Sequence, residues 1–240
     1  MQPLKNSIYK PETSAMYKVM KRLIDLFLAT VTLVILSPIF ICIMIILLVT
    51  GEHEIFYLQE RIGYKTRPFK IWKFSTMKKN SSNIGTGEIT IRNDPRVTAF
   101  GKLLRISKIN ELPQIINVYK GEMSIVGPRP LMKVSFDLYN DEVKKKIYDL
   151  KPGLTGIGSL IFRDEERIVS EAKDPREMYA SIYPYKGELE LWYRENASTP
   201  IDLLIIFLTG YTLIFPHNNL VHKYFKTLPK ERDLSNSLLS

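Results

Sequence analysis

The chain has a single cysteine, Cys42, which lies inside a long apolar run. One cysteine excludes an intramolecular disulfide framework, so we expect the polar part to face the cytoplasm and Cys42 to be a packed apolar side chain. There is no internal repeat and no low-complexity tract. The apolar run is too long and begins too late for a secretory signal peptide. The 240 residues can form one sizeable core with a membrane segment, or two small domains.

Acidic residues are also in short supply. Asp and Glu number 25 against 34 Lys and Arg, which gives a net charge of +9. This excess favours anionic partners: phosphates, nucleic acids or anionic lipid headgroups. The charge and the 11% aromatic content allow a membrane-tethered nucleic-acid binder, but no nucleic-acid motif supports one. We therefore expect phosphate groups and a lipid surface as partners, and no nucleic acid.

The apolar run extends from Leu26 to Val49. About 20 apolar residues span a bilayer, so a transmembrane helix is the simplest interpretation. Pro38 lies at the centre of the run and predicts a kink there. Basic residues lie on both sides of the run, and because positive charge marks the cytoplasmic side, this favours a helix that enters the membrane and returns. From the residues alone, a re-entrant helix, a spanning helix and a buried helix of a soluble protein all stay open.

Two other features are an acidic residue just before the apolar run and a second, shorter apolar stretch. Asp25, at the mouth of the run, is costly in lipid, and we expect it to pair with Lys21 or Arg22 on the same helix face. A second apolar stretch, from Ile201 to Phe215, is short for a span and predicts a core or interfacial helix.

Hydrophobic periodicity and turn residues predict the remaining elements. Two short strands are expected within Glu54 to Met77, around a turn at Gly63 to Thr66. Polar composition predicts a loop over Asn80 to Asp94 and poor order over Met1 to Ala15 and Leu228 to Ser240. The predicted helices are Thr98 to Ile106, Leu112 to Tyr119, Phe136 to Leu150, and Met178 to Arg194 with an interruption near Pro184.

The residues best suited to chemistry cluster between Lys102 and Pro130. Asn110 and Glu111 come just before a predicted helix, where Asn is a favoured N-cap and free amides attract anions. Arg105 lies upstream and Arg129 lies on a turn bracketed by prolines, and guanidinium groups suit phosphate oxygens. Glu111 offers one hard oxygen ligand for Mg²⁺. The pattern predicts chemistry on a phosphate beside a membrane.

Several short motifs follow one another along the chain. They are Lys21-Arg22-Leu23-Ile24-Asp25, Ser37-Pro38, Gln59-Glu60-Arg61-Ile62-Gly63, Trp72-Lys73-Phe74-Ser75-Thr76-Met77, Leu103-Leu104-Arg105, Asn110-Glu111-Leu112-Pro113-Gln114, Asn117-Val118, Ser124-Ile125-Val126-Gly127-Pro128-Arg129-Pro130 and Lys151-Pro152-Gly153-Leu154-Thr155-Gly156. As an ordered set they resemble the bacterial sugar transferase family, the monotopic polyprenyl-phosphate phosphoglycosyl transferases. The resemblance covers about residues 18 to 215.

The resemblance implies an α+β, mostly helical fold: a monotopic membrane protein with a re-entrant, Pro-broken helix and a small cytoplasmic catalytic domain. The implied segments are 1–17 (N-terminal), 18–52 (re-entrant helix), 53–200 (catalytic domain), 201–227 (interfacial or core helix) and 228–240 (tail). It places the chain on the inner leaflet of the bacterial cytoplasmic membrane, and a homodimer is allowed.

The implied reaction depends on Mg²⁺ and moves a sugar-1-phosphate from a UDP-sugar to undecaprenyl phosphate. It releases UMP and begins surface glycan assembly. By the resemblance, Glu111 binds Mg²⁺, Arg105 and Arg129 hold phosphate oxygens, and Asn110 caps the helix and touches a phosphate or the metal. Further substrate-binding positions carried over are Arg61, Lys73 and Arg163.

One position departs from the family. The family's nucleophile is an Asp, and Asn110 occupies that position. A neutral carboxamide cannot replace a carboxylate nucleophile. Three hypotheses follow: the lipid phosphate attacks the UDP-sugar directly; a carboxylate from the cluster Asp164, Glu165 and Glu166 replaces the Asp; or the chain binds substrate without turning it over and acts as a regulator.

Overall fold

The structure of the protein is a computed structural model that describes residues 15–79, 81, 94–215 and 220–230. The predictions for residues 1–14, for the loop after residue 81 and for the chain beyond residue 230 lie outside these ranges.

Helices predominate in the described residues, with two small sheets. The helices are α1 (Ala15–Val49), α2 (Ala99–Ile106), α3 (Ile115–Lys120), α4 (Lys133–Asp137), α5 (Asp141–Lys146), α6 (Ile157–Ile161), α7 (Glu165–Glu171), α8 (Pro175–Asn196), α9 (Thr199–Ile214) and α10 (Leu220–Tyr224). The strands are β1 (Phe56–Ile62), β2 (Pro68–Phe74), β3 (Ser124–Val126) and β4 (Gly153–Thr155), and 3₁₀ turns lie at Tyr64–Thr66, Ile109–Gln114 and Ile147–Asp149. This confirms the predicted α+β, mostly helical class.

Helix α1 runs through Pro38 without ending. Proline has no amide proton, so the carbonyl of Val34 loses its helical donor. The Ser37 hydroxyl donates to that carbonyl at 2.8 Å and supplies the missing bond. The Ser-Pro pair is therefore accommodated within one continuous 35-residue helix.

Asp25, at the start of the apolar run, is hydrogen-bonded by residues from the rest of the fold. The Asp25 carboxylate accepts hydrogen bonds from the Ser124 hydroxyl at 3.0 Å and the Ile125 amide at 2.9 Å. Lys21 instead donates to Asp202 on α9 at 2.7 Å. The predicted pairing of Asp25 with a basic residue one turn earlier is therefore wrong, because tertiary partners replace the local one.

Both halves of α1 contact the same folded body. Arg22 donates to the backbone carbonyls of Val118 at 2.7 Å and Tyr119 at 2.8 Å. In the second half, the Phe40 ring packs edge-on against Phe74 with 5.4 Å between ring centroids. Exposed apolar side chains lie between these contacts: Val31, Val34, Ile35 and Ile39. A spanning helix would separate its ends by about 30 Å of hydrocarbon, so these contacts fit a monotopic anchor.

Among the described residues, α1 is the one helix long and apolar enough to cross a membrane. Helix α9 is shorter and two-sided. Its Ile205 and Leu208 are buried, whereas Leu203, Phe207 and Leu213 are exposed. An apolar face left open beside a membrane helix is typical of an interfacial helix.

The predicted hairpin is confirmed, and a second sheet was not foreseen. Strands β1 and β2 pair antiparallel, with Phe56 opposite Phe74. Strands β3 and β4 pair in parallel, with Val126 opposite Thr155. A Cβ on Gly153 would lie 2.1 Å from the Gly127 amide nitrogen, so the two segments approach closely only because glycine occupies this position. This contact fixes the turn that carries Arg129.

Two helix predictions are wrong. The stretch Phe136 to Leu150 is divided between α4, α5 and a 3₁₀ turn, because the Asn140 side chain accepts the Val143 amide at 2.9 Å and begins a new helix. Helix α8 continues through Pro184. Its buried face holds the helix together across the missing hydrogen bond, since tertiary packing outweighs local propensity.

Candidate active site

A cleft of about 1030 Å³ opens between the β1–β2 hairpin, the 3₁₀ turn at Ile109–Gln114, α6 and α8. Among the charged side chains of its wall, basic ones outnumber acidic ones. The basic residues are Arg61, Lys73, Lys78, Lys79, Arg96, Arg105, Lys108, Arg129, Lys133, Arg163 and Lys186. A concave site lined by positive charge concentrates anionic ligands.

A strained turn presents the central pair. Lys108 adopts the left-handed conformation (φ 58°) immediately before the 3₁₀ turn. This conformation costs a non-glycine residue about 1 kcal/mol or more, and such strain clusters at functional sites. Lys108 occupies the cap position, so the prediction that Asn110 caps the helix is wrong. Asn110 and Glu111 lie within the turn and line the cleft.

Glu111 is held by cations from two other segments. Its Oε1 lies 2.8 Å from Lys73 Nζ on β2 and 3.8 Å from Arg129 Nη2. Burial alone would raise the pKa of Glu111, but Lys73, Arg129 and Lys108 together hold it well below its usual range. Burial lowers the pKa of Lys73 to about 8 although Glu111 opposes this. At neutral pH the site therefore contains a permanent carboxylate beside an ammonium that is close to losing its proton.

The backbone of Arg129 is fixed at both its polar atoms. Its carbonyl accepts the Tyr148 hydroxyl at 2.8 Å, and its amide donates to Glu190 Oε1 at 3.4 Å. The side chain is 43% exposed and extends towards Glu111. An arginine with a fixed backbone and an accessible guanidinium is suited to bind phosphate oxygens.

Three buried side-chain atoms in the described part of the chain have no hydrogen-bond partner: Arg61 Nε, Asn110 Oδ1 and Glu190 Oε2. All three residues line this cleft. Buried polar groups are nearly always satisfied by protein, water or ligand. The three atoms therefore have hydrogen-bonding capacity left for water or for polar groups of a ligand. Arg61 is otherwise anchored through Nη2, which donates to Gln59 at 2.5 Å.

The other two predicted arginines lie further along the wall. Arg105 lies on α2, lines the cleft and is partly exposed. Arg163 also lines the cleft, but its Nη1 donates to the backbone carbonyl of Thr212 on α9. Arg163 therefore ties the cleft wall to the interfacial helix. The structure brings Arg61, Lys73 and Arg129 around Glu111, with Arg105 and Arg163 in the outer wall.

The acidic cluster offers the cleft no unpaired carboxylate among its described side chains. Asp164 is exposed and does not line the cleft. Glu165 does line it, but both of its oxygens accept from Lys186 at 2.9 Å. The side chain of Glu166 lies outside the described residues. The hypothesis that this cluster supplies the nucleophile gains no support from the two described members.

The donor set permits one magnesium ion held jointly with a ligand. No group of three or more His, Cys, Asp or Glu side chains converges anywhere in the described ranges, so a protein-only metal cage is absent there. Mg²⁺ commonly takes one or two carboxylates and completes its shell with phosphate and water. Glu111 supplies a carboxylate and Asn110 an unpartnered amide oxygen, so these residues fit an ion that a bound diphosphate also ligates.

The sequence did not single out Glu190. It lies in α8, is 2% exposed and faces the cleft. A charged residue in a polar helix resembles a solvated surface position until the helix packing is known. The one available signal was its position among the apolar residues on either side, Leu189 and Leu191.

Fold and cleft together define a protein with an apolar helix suited to a membrane anchor and a cleft rich in cationic side chains. A profile described as "Bacterial sugar transferase" matches residues 16–216, and the chain belongs to this family.

Three similar proteins illustrate the family. The chain is 33% identical over 206 residues to the "UDP-glucose:undecaprenyl-phosphate glucose-1-phosphate transferase" of Escherichia coli (strain K12), covering 85% of this chain and 42% of the relative. It is 31% identical over 203 residues to the "UDP-N-acetylgalactosamine-undecaprenyl-phosphate N-acetylgalactosaminephosphotransferase" of Aeromonas hydrophila, covering 84% and 45%. It is 34% identical over 203 residues to the "Exopolysaccharide production protein ExoY" of Sinorhizobium fredii (strain NBRC 101917 / NGR234), covering 79% and 83%. The chain therefore spans less than half the length of the first two relatives.

Proposed function

We propose that the protein is a phosphoglycosyl transferase that moves a sugar-1-phosphate from a UDP-sugar to undecaprenyl phosphate and releases UMP. The observation that carries this proposal is the position of Glu111 between Lys73 and Arg129, inside a basic cleft beside a membrane-anchoring helix. Relatives of this chain are named for the same type of transfer. The reaction would be the first membrane step in assembling a surface glycan.

The chemistry proposed for this chain is direct displacement. A phosphate oxygen of the lipid attacks the sugar-proximal phosphorus of the UDP-sugar. The bond from that phosphorus to the bridging oxygen breaks, and the bridging oxygen leaves with UMP. Phosphoryl transfer depends mainly on positioning and charge neutralisation, so it does not require a covalent enzyme intermediate. Asn110 favours this route because its amide cannot attack phosphorus.

The side chains in the cleft have different roles in the proposed reaction. Arg129 and Lys73 neutralise the diphosphate, Arg61 donates its unpartnered Nε to a phosphate or ribose oxygen, and Asn110 accepts or ligates through Oδ1. Arg105 and Arg163 extend the positive field along the wall. Glu111 keeps Lys73 and Arg129 in place. Mg²⁺, bound by Glu111 and Asn110 with the diphosphate, would supply further charge neutralisation.

The membrane anchor sets where this happens. A lipid-linked phosphate lies at the headgroup level. Helix α9 exposes an apolar face and contributes Thr209, Thr212 and Leu213 to the cleft wall. Helix α1 exposes apolar side chains and packs Phe40 against Phe74, which lines the cleft. We place the protein on the inner leaflet of the bacterial cytoplasmic membrane with the cleft facing the cytoplasm, where UDP-sugars are made. A homodimer stays a prediction and has no role in this mechanism.

Asn110 also favours a second candidate, a non-catalytic homologue that binds a nucleotide-sugar or polyprenyl phosphate and acts as a regulator. Such a protein would keep the basic cleft and the unpartnered polar atoms and would bind without releasing UMP.

The deciding experiment is a UMP-release assay on purified full-length protein in lipid nanodiscs. The assay contains undecaprenyl phosphate, Mg²⁺ and a panel of UDP-glucose, UDP-galactose and their N-acetylamino analogues. We expect UMP from at least one donor, dependent on the lipid phosphate and abolished by chelation. If no donor is turned over although UDP-sugars bind in calorimetry, the regulator is correct and the transferase is wrong.

A further inference from the structure

We propose that Glu190 binds a hydroxyl group of the donor sugar and thereby helps to select the sugar. This inference rests on the proposed function, because it assumes that a UDP-sugar occupies the cleft. Glu190 lies outside the Glu111 cluster and takes no part in the displacement described above.

The first argument is the state of the carboxyl group. Glu190 is 2% exposed, yet only Oε1 has a partner, the amide of Arg129. Oε2 is buried and without a partner, although the residue lines the cleft. A buried carboxyl oxygen left unsatisfied destabilises the protein, because the desolvation of that oxygen is not compensated. A ligand hydroxyl that reaches it would recover this cost.

The second argument is location. Arg129 connects the two ends of the cleft, because its guanidinium is directed to Glu111 and its backbone amide is bound by Glu190. A group bound at Glu190 is therefore about one arginine side chain away from the phosphate-binding cations. A hexose attached to the diphosphate extends over a comparable distance. Gly158 makes room here, since a Cβ at that position would lie 2.5 Å from Glu190 Oε1.

The third argument is the chemistry around Glu190. Lys186, the nearest ammonium on the same helix, is neutralised by Glu165 at 2.9 Å. Two tyrosine hydroxyls lie earlier on the same helix: Tyr179 and Tyr183 are hydrogen-bonded to each other at 2.7 Å, and both residues line the cleft. A phosphate is disfavoured next to a carboxyl group, and a cation is disfavoured by the neighbouring Arg129. A neutral hydroxyl, which both donates and accepts, fits best, and aromatic and carboxyl groups together are suited to a carbohydrate.

The experiment measures binding rather than turnover. Calorimetry on full-length protein in nanodiscs gives the dissociation constants of UDP and of the four UDP-sugars for the wild type, Glu190→Ala and Glu190→Gln. The quantity compared is the affinity for UDP-sugar relative to UDP. Glu195→Gln is the matched control, since Glu195 is exposed near the end of the same helix and does not line the cleft.

We expect Glu190→Ala to lower the relative affinity for the preferred UDP-sugar about tenfold or more, with UDP affinity changed less than about twofold. Glu190→Gln, which keeps a hydrogen-bonding group of the same size, should lose less than Glu190→Ala and should reorder the preference among the four sugars. It also serves as the test if the alanine variant does not fold. The control should match the wild type.

Other outcomes overturn the inference. If UDP and UDP-sugar affinities fall in parallel, Glu190 acts only by positioning Arg129. If the relative affinities do not change in either variant, Glu190 does not contact the sugar, and the proposed function stands. If the wild type binds none of the UDP-sugars, the proposed function itself fails.

Discussion

Glu111 and Glu190 line the same cleft but have opposite electrostatic surroundings. Glu111 lies 2.8 Å from Lys73 and 3.8 Å from Arg129, and its pKa is held far below the usual range once these cations outweigh its burial. Glu190 has one long hydrogen bond from a backbone amide, and burial raises its pKa to about 7. The cleft thus has a charged end at Glu111, where we propose that phosphate and metal bind, and a second end at Glu190, whose carboxyl group is partly protonated near neutral pH.

The largest effect is expected when the charge of Glu111 is removed. Glu111→Gln removes the carboxylate that pairs with Lys73 and Arg129 and that we propose as a ligand of Mg²⁺. We expect kcat to fall about 10³-fold or more, equivalent to about 4 kcal/mol of transition-state stabilisation. The measurement is UMP release in nanodiscs, with circular dichroism to show that the variant is folded. A folded variant with wild-type turnover and metal dependence would refute the role of Glu111.

Introducing a carboxyl group next to Glu111 tests whether the cleft can perform covalent chemistry. Asn110→Asp supplies the nucleophile that the wild-type amide lacks. We expect this variant, incubated with UDP-sugar and Mg²⁺ without lipid, to gain the mass of one sugar-phosphate. Intact-protein mass spectrometry checks this, with Asn110→Ser as the matched control that offers no carboxylate. Absence of an adduct on a variant that binds UDP-sugar would show that the cleft cannot perform covalent chemistry at this position.

The charged cluster around Glu111 also predicts that activity decreases at alkaline pH. Burial lowers the pKa of Lys73 to about 8, and Glu111 limits that decrease. Above this pH the ammonium loses its proton and no longer neutralises phosphate, so we expect kcat/KM to fall about tenfold per unit beyond pH 8. Lys73→Arg should move this decrease in kcat/KM to higher pH, because guanidinium keeps its charge. If the decrease stays at the same pH in Lys73→Arg, another group is responsible for it.

The smallest predicted effect concerns Glu190 and is a change in the free energy of unfolding. The pKa of Glu190 is raised by folding from 4.5 to about 7, so the folded state retains the proton more strongly than the unfolded state. The corresponding stability is fully present below about pH 4.5 and is lost as the pH rises through 7. Glu190→Gln should therefore be more stable than the wild type at pH 8, by up to about 2–3 kcal/mol, with the difference shrinking towards pH 5.

Thermal unfolding of both proteins across this pH range is the measurement. Arg129 and Lys186 lie close enough to lower the pKa of Glu190, but burial outweighs them. A stability difference that grows towards low pH would reverse the assignment of Glu190 as the group protonated on folding.

Local patterns predicted the hairpin, α2 and the long apolar helix, because these depend on hydrophobic periodicity and apolar length, whereas the monotopic anchor was implied by the family resemblance. The cation cluster around Glu111 could be named from its motif residues. The partners of Asp25, the continuity of α8 and the role of Glu190 could not, since each depends on a contact across the fold. Lys108, not Asn110, occupies the cap position because a left-handed turn precedes Asn110, and composition does not reveal such a turn.

Whether the lipid phosphate is itself the attacking group is tested most directly by rapid quench of the wild-type protein with UDP-sugar and Mg²⁺, with and without undecaprenyl phosphate. Direct displacement predicts no UMP above the hydrolysis background until the lipid is added, and continuous UMP formation afterwards. A burst of UMP equal to the amount of enzyme in the absence of lipid would contradict it, because some group of the protein would then have taken the sugar-phosphate first.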